Sequence, residues 1–236
     1  MAAIRVMYNA LPISDALLLA IKCNDKSFFN DPWVKTQIKE DVLKQMMDAD
    51  IQEESKPMRL QWLNDNGLLT ADQLTKVLKQ AASQGSIVFA EWARVNGAWD
   101  ELTCIIAAEY GHLKFLKWAR ANGAPWDEQT CAMAAEGGHL EVLKWARTYG
   151  ANWDEWTCAN AAQEGHLEVL KWARDNGAPW NEWTCAYAAK GGHLEVLKWA
   201  REHGAPWDEE TCEFAAEEGH LEVLNWARAN GAPEYD

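Results

Sequence analysis

Apolar residues in the last two thirds of the chain return every 27 positions. Leu140, Val142, Leu143, Trp145 and Ala146 are matched by Leu167, Val169, Leu170, Trp172 and Ala173, then by Leu194 to Ala200 and Leu221 to Ala227. Trp118, Trp145, Trp172, Trp199 and Trp226 mark the same beat, and Trp92 stands one residue off it. A period of this length belongs to solenoids, whose units are too small to bury an apolar face alone and must stack.

Residues 125–150 show how one unit is built. Asp127 stands where an N-cap carboxylate can accept free amide donors, and Glu128 suits the dipole of the first turn. Trp126 and Cys131 sit at N′ and N4, the places of a hydrophobic staple. Ala134 and Ala135 allow a neighbouring helix to approach closely, and Gly137 with Gly138 ends the helix. A second helix begins near His139 and carries the apolar stripe from Leu140 to Ala146, with Glu141, Lys144 and Arg147 on its other face. Gly150 is placed for a left-handed C′ residue. Two helices of about nine residues would not hold alone in water, so stability must come from stacking.

These segments resemble the ankyrin repeat. The family's Ala-Ala-x-x-Gly-His core is present as Ala134-Ala135-Glu136-Gly137-Gly138-His139, and again as Ala161 to His166, Ala188 to His193 and Ala215 to His220. Val142, Leu143, Trp145 and Ala146 match its second helix, and Gly150-Ala151 matches its closing pair. Cys131 corresponds to the Leu of the family's Thr-Pro-Leu-His opening, with Thr130 where the Pro would be. About six residues that normally form the projecting hairpin are missing between Gly150-Ala151 and Trp153-Asp154. The likeness covers residues 68–236 and is to the short variety common in giant viruses and some protists. It implies an all-α, ankyrin-like helix-turn-helix solenoid with β-hairpins absent or reduced.

Positions that vary between copies fall on the first helix. One column is Leu102, Gln129, Trp156, Trp183 and Glu210. Four residues on is Ile106, Met133, Asn160, Tyr187 and Phe214, and four further is Tyr110, Gly137, Glu164, Gly191 and Glu218. Spacings of four and eight place all three columns on one helix face. The resemblance implies that this helix builds the concave, partner-holding surface. Gln129, Met133, Trp156, Asn160, Trp183, Tyr187, Glu210 and Phe214 are therefore the expected partner-binding residues. Large aromatics are the kind that anchor interfaces, and with Asn160, Glu164, Glu210 and Glu218 they suit a partner with an apolar anchor and flanking Lys or Arg. A second reading is that the aromatics lean on adjacent helices as part of a tryptophan-rich core.

The repeated positions point to packing. The Trp92, Trp118, Trp145, Trp172, Trp199 and Trp226 column is expected to be buried. Trp99, Trp126, Trp153, Trp180 and Trp207 are expected as half-buried loop staples. Cys104, Cys131, Cys158, Cys185 and Cys212 share one place in successive repeats, too far apart for disulfides, and fit small buried thiols in a reducing, intracellular setting. His112, His139, His166, His193 and His220 lack a second metal ligand at close spacing, and are expected to bond backbone carbonyls between helices. The Arg column from Arg94 to Arg228 runs beside Glu141, Glu168, Glu195 and Glu222, whose charges can offset its self-repulsion.

A net charge of -14 over 236 residues disfavours nucleic acid and anionic membrane surfaces, and fits either simply a soluble protein kept monomeric by repulsion or a partner with basic patches. No apolar run is long enough to span a bilayer, and no export signal is evident. No phosphate loop, nucleophile–base pair or isolated carboxylate pair is present, so neither an enzyme nor a cofactor is expected.

Residues 1–67 leave the beat and are expected to form a helical N-terminal cap region. Ser14 is placed to cap a helix over 15–23, Asp31-Pro32 to open one running to about Met47, and a further helix is expected over 57–63. Thr70 with Gln73 predicts a capping box. Leu11-Pro12 followed by Leu17, Leu18, Leu19 and Ile21 also resembles an F-box opening, which would imply a ubiquitin-ligase substrate adaptor. The array ends at Pro233 to Asp236, before another first helix, which hints at more chain, self-association or tolerated exposure. The functional expectation is a protein-binding scaffold, expected as a monomer. A structural subunit or spacer of a larger assembly is its alternative.

Overall fold

The structure is a computed structural model that describes residues 60–61, 64–65, 69–96 and 102–234. The helices expected over 15–23 and from Asp31 to Met47, the F-box-like residues and the Trp99 staple lie outside the described residues, as does most of segment 57–63. Among the described residues all the regular elements are helical. In chain order they are α1 (Ala71–Gln84), α2 (Ile87–Val95), α3 (Leu102–Glu109), α4 (Leu113–Ala121), α5 (Glu128–Glu136) and α6 (Leu140–Thr148). There follow α7 (Glu155–Gln163), α8 (Leu167–Asp175), α9 (Trp183–Lys190), α10 (Leu194–Glu202), α11 (Glu210–Glu217) and α12 (Leu221–Ala229). The chain divides into two units, residues 1–81 with 86–100, and residues 82–85 with 101–236.

In the first unit the predicted capping box is present in both directions. The Thr70 amide donates to Gln73 Oε1 at 2.8 Å, and the Gln73 amide donates to Thr70 Oγ1 at 3.3 Å. Phe89, Ala90, Trp92 and Ala93 of α2 are buried, and Trp92 Nε1 donates to Gln61 Oε1 at 2.8 Å.

The second unit is the regular array. The first helices α3, α5, α7, α9 and α11 pack side by side, and each packs on the second helix that follows it. Small residues make this possible. Ala134, Ala135, Ala161, Ala162, Ala188 and Ala189 are fully buried, with Cys131, Cys158 and Cys185 one turn earlier. Burial pushes the thiols of Cys104, Cys131, Cys158 and Cys185 up to about 12, so they remain protonated and act as small apolar fillers.

Caps set the helix ends. Asp127 Oδ1 accepts from the Gln129 amide at 3.1 Å, Asp154 Oδ1 from Trp156 at 3.2 Å, and Asn181 Oδ1 from Trp183 at 3.2 Å. At the end of α6 the Ala151 amide reaches the Ala146 carbonyl at 2.9 Å and Gly150 reaches Arg147 at 3.2 Å. That pair of bonds needs a left-handed C′ residue, and Gly150 has φ +87.

Two expectations are corrected. Trp118, Trp145, Trp172, Trp199 and Trp226 are half-buried, while Val142, Leu143 and Ala146 and their equivalents take the core places. Trp145, Trp172, Trp199 and Trp226 instead meet the loop tryptophan at the start of their own repeat, edge to face, and Trp118 meets Phe115. Trp126–Trp145, Trp153–Trp172, Trp180–Trp199 and Trp207–Trp226 have centroids 5.6, 6.0, 6.1 and 6.1 Å apart. The arginine column does not pair with the glutamate column. Glu141, Glu168 and Glu195 bridge to Lys144, Lys171 and Lys198 three residues on. Arg120, Arg147, Arg174 and Arg201 donate to the carbonyls of Ala124, Ala151, Ala178 and Ala205 and lie 3.9 to 4.2 Å over the rings of Trp126, Trp153, Trp180 and Trp207. One guanidinium thus ties helix end, loop and staple together, a task its planar fork suits and an ammonium does not.

The histidines lock one repeat to the one before. His112 Nε2 bonds the Ser83 carbonyl at 2.8 Å, and His220 Nε2 the Lys190 carbonyl at 3.0 Å. His139 does the same with Glu109. Each ring lies where a Cβ on the preceding repeat's turn glycine would be, His166 against Gly138 for example.

Candidate protein-binding face

First helices packed in parallel bring equivalent positions of successive repeats together. Where those positions are aromatic, the rings meet. Trp156 on α7 stacks with Trp183 on α9, centroids 6.4 Å apart and planes 21° from parallel. One turn on, Tyr187 on α9 stacks with Phe214 on α11 at 6.2 Å and 10°. Tyr187 joins the pairs, lying 5.8 Å from Trp156 and 5.6 Å from Trp183. The four rings form one stripe crossing three helices. Trp156 is 40% exposed, and Trp183, Tyr187 and Phe214 are half-buried, so the rings lean on each other and still show an edge to solvent. The contact between rings of adjacent helices is what the packing expectation describes.

The stripe has unlike ends. On the α5 side, Asn160 Nδ2 donates to Glu136 Oε2 at 3.0 Å, placing a carboxylate beside the stripe. Burial first, and then the charges of Glu109 and Glu164, hold the Glu136 carboxyl above its ordinary value. On the α11 side, Lys190 Nζ lies 5.7 Å from the Tyr187 ring centre and 5.5 Å from that of Phe214. Gln129 is exposed, Met133 and Glu210 are half-buried, and all three lie in the same two columns as the rings. Among the described residues no group of three or more His, Cys, Asp and Glu side chains is arranged to hold a metal ion, and no helix is long and apolar enough to cross a membrane.

The third variable column is only partly free. Gly137 and Gly191 end α5 and α9, and a Cβ at either would collide with a carbonyl oxygen of the preceding repeat, that of Glu109 or Gln163. Glycine there permits this close approach, whereas Glu164 and Glu218 end α7 and α11 as exposed side chains. Sequence reasoning also passed over a fourth column, Glu109, Glu136, Gln163, Lys190 and Glu217, which supplies both charged ends of the stripe. Its variation between copies was the available signal.

The family model described as ankyrin repeats (many copies) matches residues 104–147 and 158–201. Among solved structures, the chain is similar to the human ASB11 ankyrin repeat domain, with a TM-score of 0.50 and 18% identity over 66% of this chain and 83% of that one. No curated protein matches the chain.

Proposed function

We propose that this chain, whose residues 104–147 and 158–201 match ankyrin repeats, units that generally mediate protein–protein interaction, is a binding scaffold holding a partner protein on its first-helix face. The observation that carries the reading is the stripe Trp156, Trp183, Tyr187 and Phe214. Four large rings in one surface file, flanked by Gln129, Met133, Asn160 and Glu210, have the composition of an interface anchor with a polar rim. The rings are held by their neighbours before a partner arrives, so little ordering cost falls on binding. Five buried, unpaired thiols support a reducing, intracellular location. The concave geometry of the face is carried over from the family likeness.

A quantitative pull-down tests this, comparing the wild-type chain with a Trp156→Ala, Trp183→Ala, Tyr187→Ala variant of equal helicity by circular dichroism. A protein retained by wild type and lost from the variant is the expected result. Equal recovery by both would move the binding function away from this face.

A further inference from the structure

One Asn-Gly pair recurs at a single structural position. Asn122-Gly123, Asn176-Gly177 and Asn230-Gly231 close the second helices α4, α8 and α12, whereas Tyr149-Gly150 and His203-Gly204 close α6 and α10. The asparagines and their glycines are all exposed, and a Cβ on any of these three glycines would meet nothing within 4 Å. Water therefore reaches the side-chain amide, and no side chain shields the nitrogen that follows it.

Such a pair carries its own chemistry. The glycine nitrogen attacks Cγ of the asparagine, the Cγ–Nδ2 bond breaks, and the glycine amide proton leaves with that nitrogen as ammonia. The product is a five-membered imide. Water then opens it at one carbonyl or the other, leaving aspartate or isoaspartate. Only water is consumed, and nothing is oxidised or reduced.

The folded cap opposes every part of this step. ψ is 10°, 12° and 10° at Asn122, Asn176 and Asn230, which sets the glycine nitrogen almost in line with the asparagine's own nitrogen. On a tetrahedral Cα the Cβ branch then points well away from it, so the ring cannot close. The attacking amide is already engaged, with Gly123, Gly177 and Gly231 donating to the Arg120, Arg174 and Arg228 carbonyls at 3.0, 3.0 and 3.1 Å. The leaving nitrogen is engaged as well, since each Nδ2 donates to the carbonyl of Trp118, Trp172 or Trp226 at 2.9, 2.8 and 2.8 Å. Unwinding the last turn of the helix releases all of these restraints together.

We propose that Asn122, Asn176 and Asn230 are sites of intramolecular deamidation, closed while their cap is folded and opened by local unwinding of their own repeat. The change is one-way. Isoaspartate routes the main chain through the side-chain carbon, so the glycine no longer falls at the left-handed C′ place. Either product also sets a carboxylate at the negative end of the helix dipole. A repeat that has reacted does not close as before.

The test is incubation of the full chain at neutral pH, with and without guanidinium chloride, followed by trypsin digestion and mass spectrometry, which place the three asparagines in separate peptides. In denaturant all three should convert from amide to acid, while Asn152, Asn160 and Asn181, none of them followed by glycine, stay intact. The folded chain should react at least about tenfold more slowly. Arg174→Ala takes the guanidinium from the Ala178 carbonyl and from Trp180, just past the α8 cap. In a variant of unchanged helicity it should raise the folded-state rate at Asn176 severalfold and leave Asn122 as it was. His203→Asn places the pair at the end of α10, where it should react in denaturant and be held off in the folded chain. No reaction in denaturant would remove the sites, and equal rates in both conditions would remove the gate. A rise shared equally by Asn122 and Asn176 in the Arg174→Ala variant, or none at Asn176, would overturn the local opening.

Discussion

The five threonines at the third or second position of the first helices carry an unusual burden. Thr103, Thr130, Thr157, Thr184 and Thr211 are fully buried, and none of their hydroxyls has a hydrogen-bond partner. The cause is position. A helical threonine commonly bonds the carbonyl four residues back, but for Thr157 that residue is Trp153, outside α7. A buried hydroxyl without a partner costs about 1–3 kcal/mol, whereas a methyl of similar shape fills the same space. Thr157→Val is therefore expected to stabilise the chain by about 1 kcal/mol in urea unfolding. A loss of stability would mean that the hydroxyl is satisfied.

At the scale of the element, the arginine column gives the sharpest expectation. Arg174 donates to the Ala178 carbonyl at the end of α8 and lies 4.0 Å over Trp180, which in turn meets Trp199. Arg174→Lys keeps the charge but loses the planar stack, and should cost about 1 kcal/mol. Arg174→Ala should cost more and shift the tryptophan emission, because Trp180 gains solvent. Equal stabilities of lysine variant and wild type would show that charge alone matters here.

Much of this element was legible beforehand. Asp127, Asp154 and Gly150 act as the caps their positions predict, and α6 begins at Leu140 behind the expected His139. Caps are local, and local rules reach them. Nothing in the spacing of Arg147 and Trp153 reveals that a guanidinium will lie on an indole, because that contact depends on the path of the loop between them. The tryptophan column was assigned to the core for a similar reason. Position on an apolar stripe shows which way a residue faces, while the depth of its burial depends on what the next layer brings. The aromatic columns stand out because they vary between copies; the column of Glu136 and Lys190 varies too, but its place beside the stripe depends on how neighbouring helices pack and not on spacing along one helix.

At the scale of the whole array, the histidines couple repeats, and at His139 that coupling is sensitive to pH. His139 is held below its ordinary value, first by burial and then by the nearby His112 and His166, with its bond to the Glu109 carbonyl acting the other way. With a lowered folded pKa, the unfolded chain binds the proton more readily between the ordinary histidine value of about 6.5 and the folded one. Stability therefore falls as pH drops through that window, and it falls less in a His139→Gln variant. Urea midpoints at successive pH values from neutral downward measure the effect. Glu136, Asp154 and Asp208 have the opposite sign. Their folded values are raised, first of all by burial, so proton uptake at lower pH favours the folded state and opposes the histidine loss.

The stacked design makes a stronger demand on the array as a whole. If stability is a sum of nearly equal repeats and nearest-neighbour interfaces, one interior unit can be removed without destroying the rest. Deleting residues 155–181 takes out one full period and joins Asp154 to Glu182, so the carboxylate cap of α7 comes to precede α9. His193 then meets the glycine turn of the preceding repeat, Gly138, which His166 occupies in the intact chain. The shortened chain should keep the same helicity per residue and unfold cooperatively. Its denaturant midpoint should be lower, and its m-value should fall roughly in proportion to the surface removed. It also removes Trp156 and Asn160 but leaves Trp183, Tyr187 and Phe214 in register, so partner affinity should drop while folding persists. Loss of cooperative unfolding would show instead that the repeats, alike in sequence, are not interchangeable in the fold.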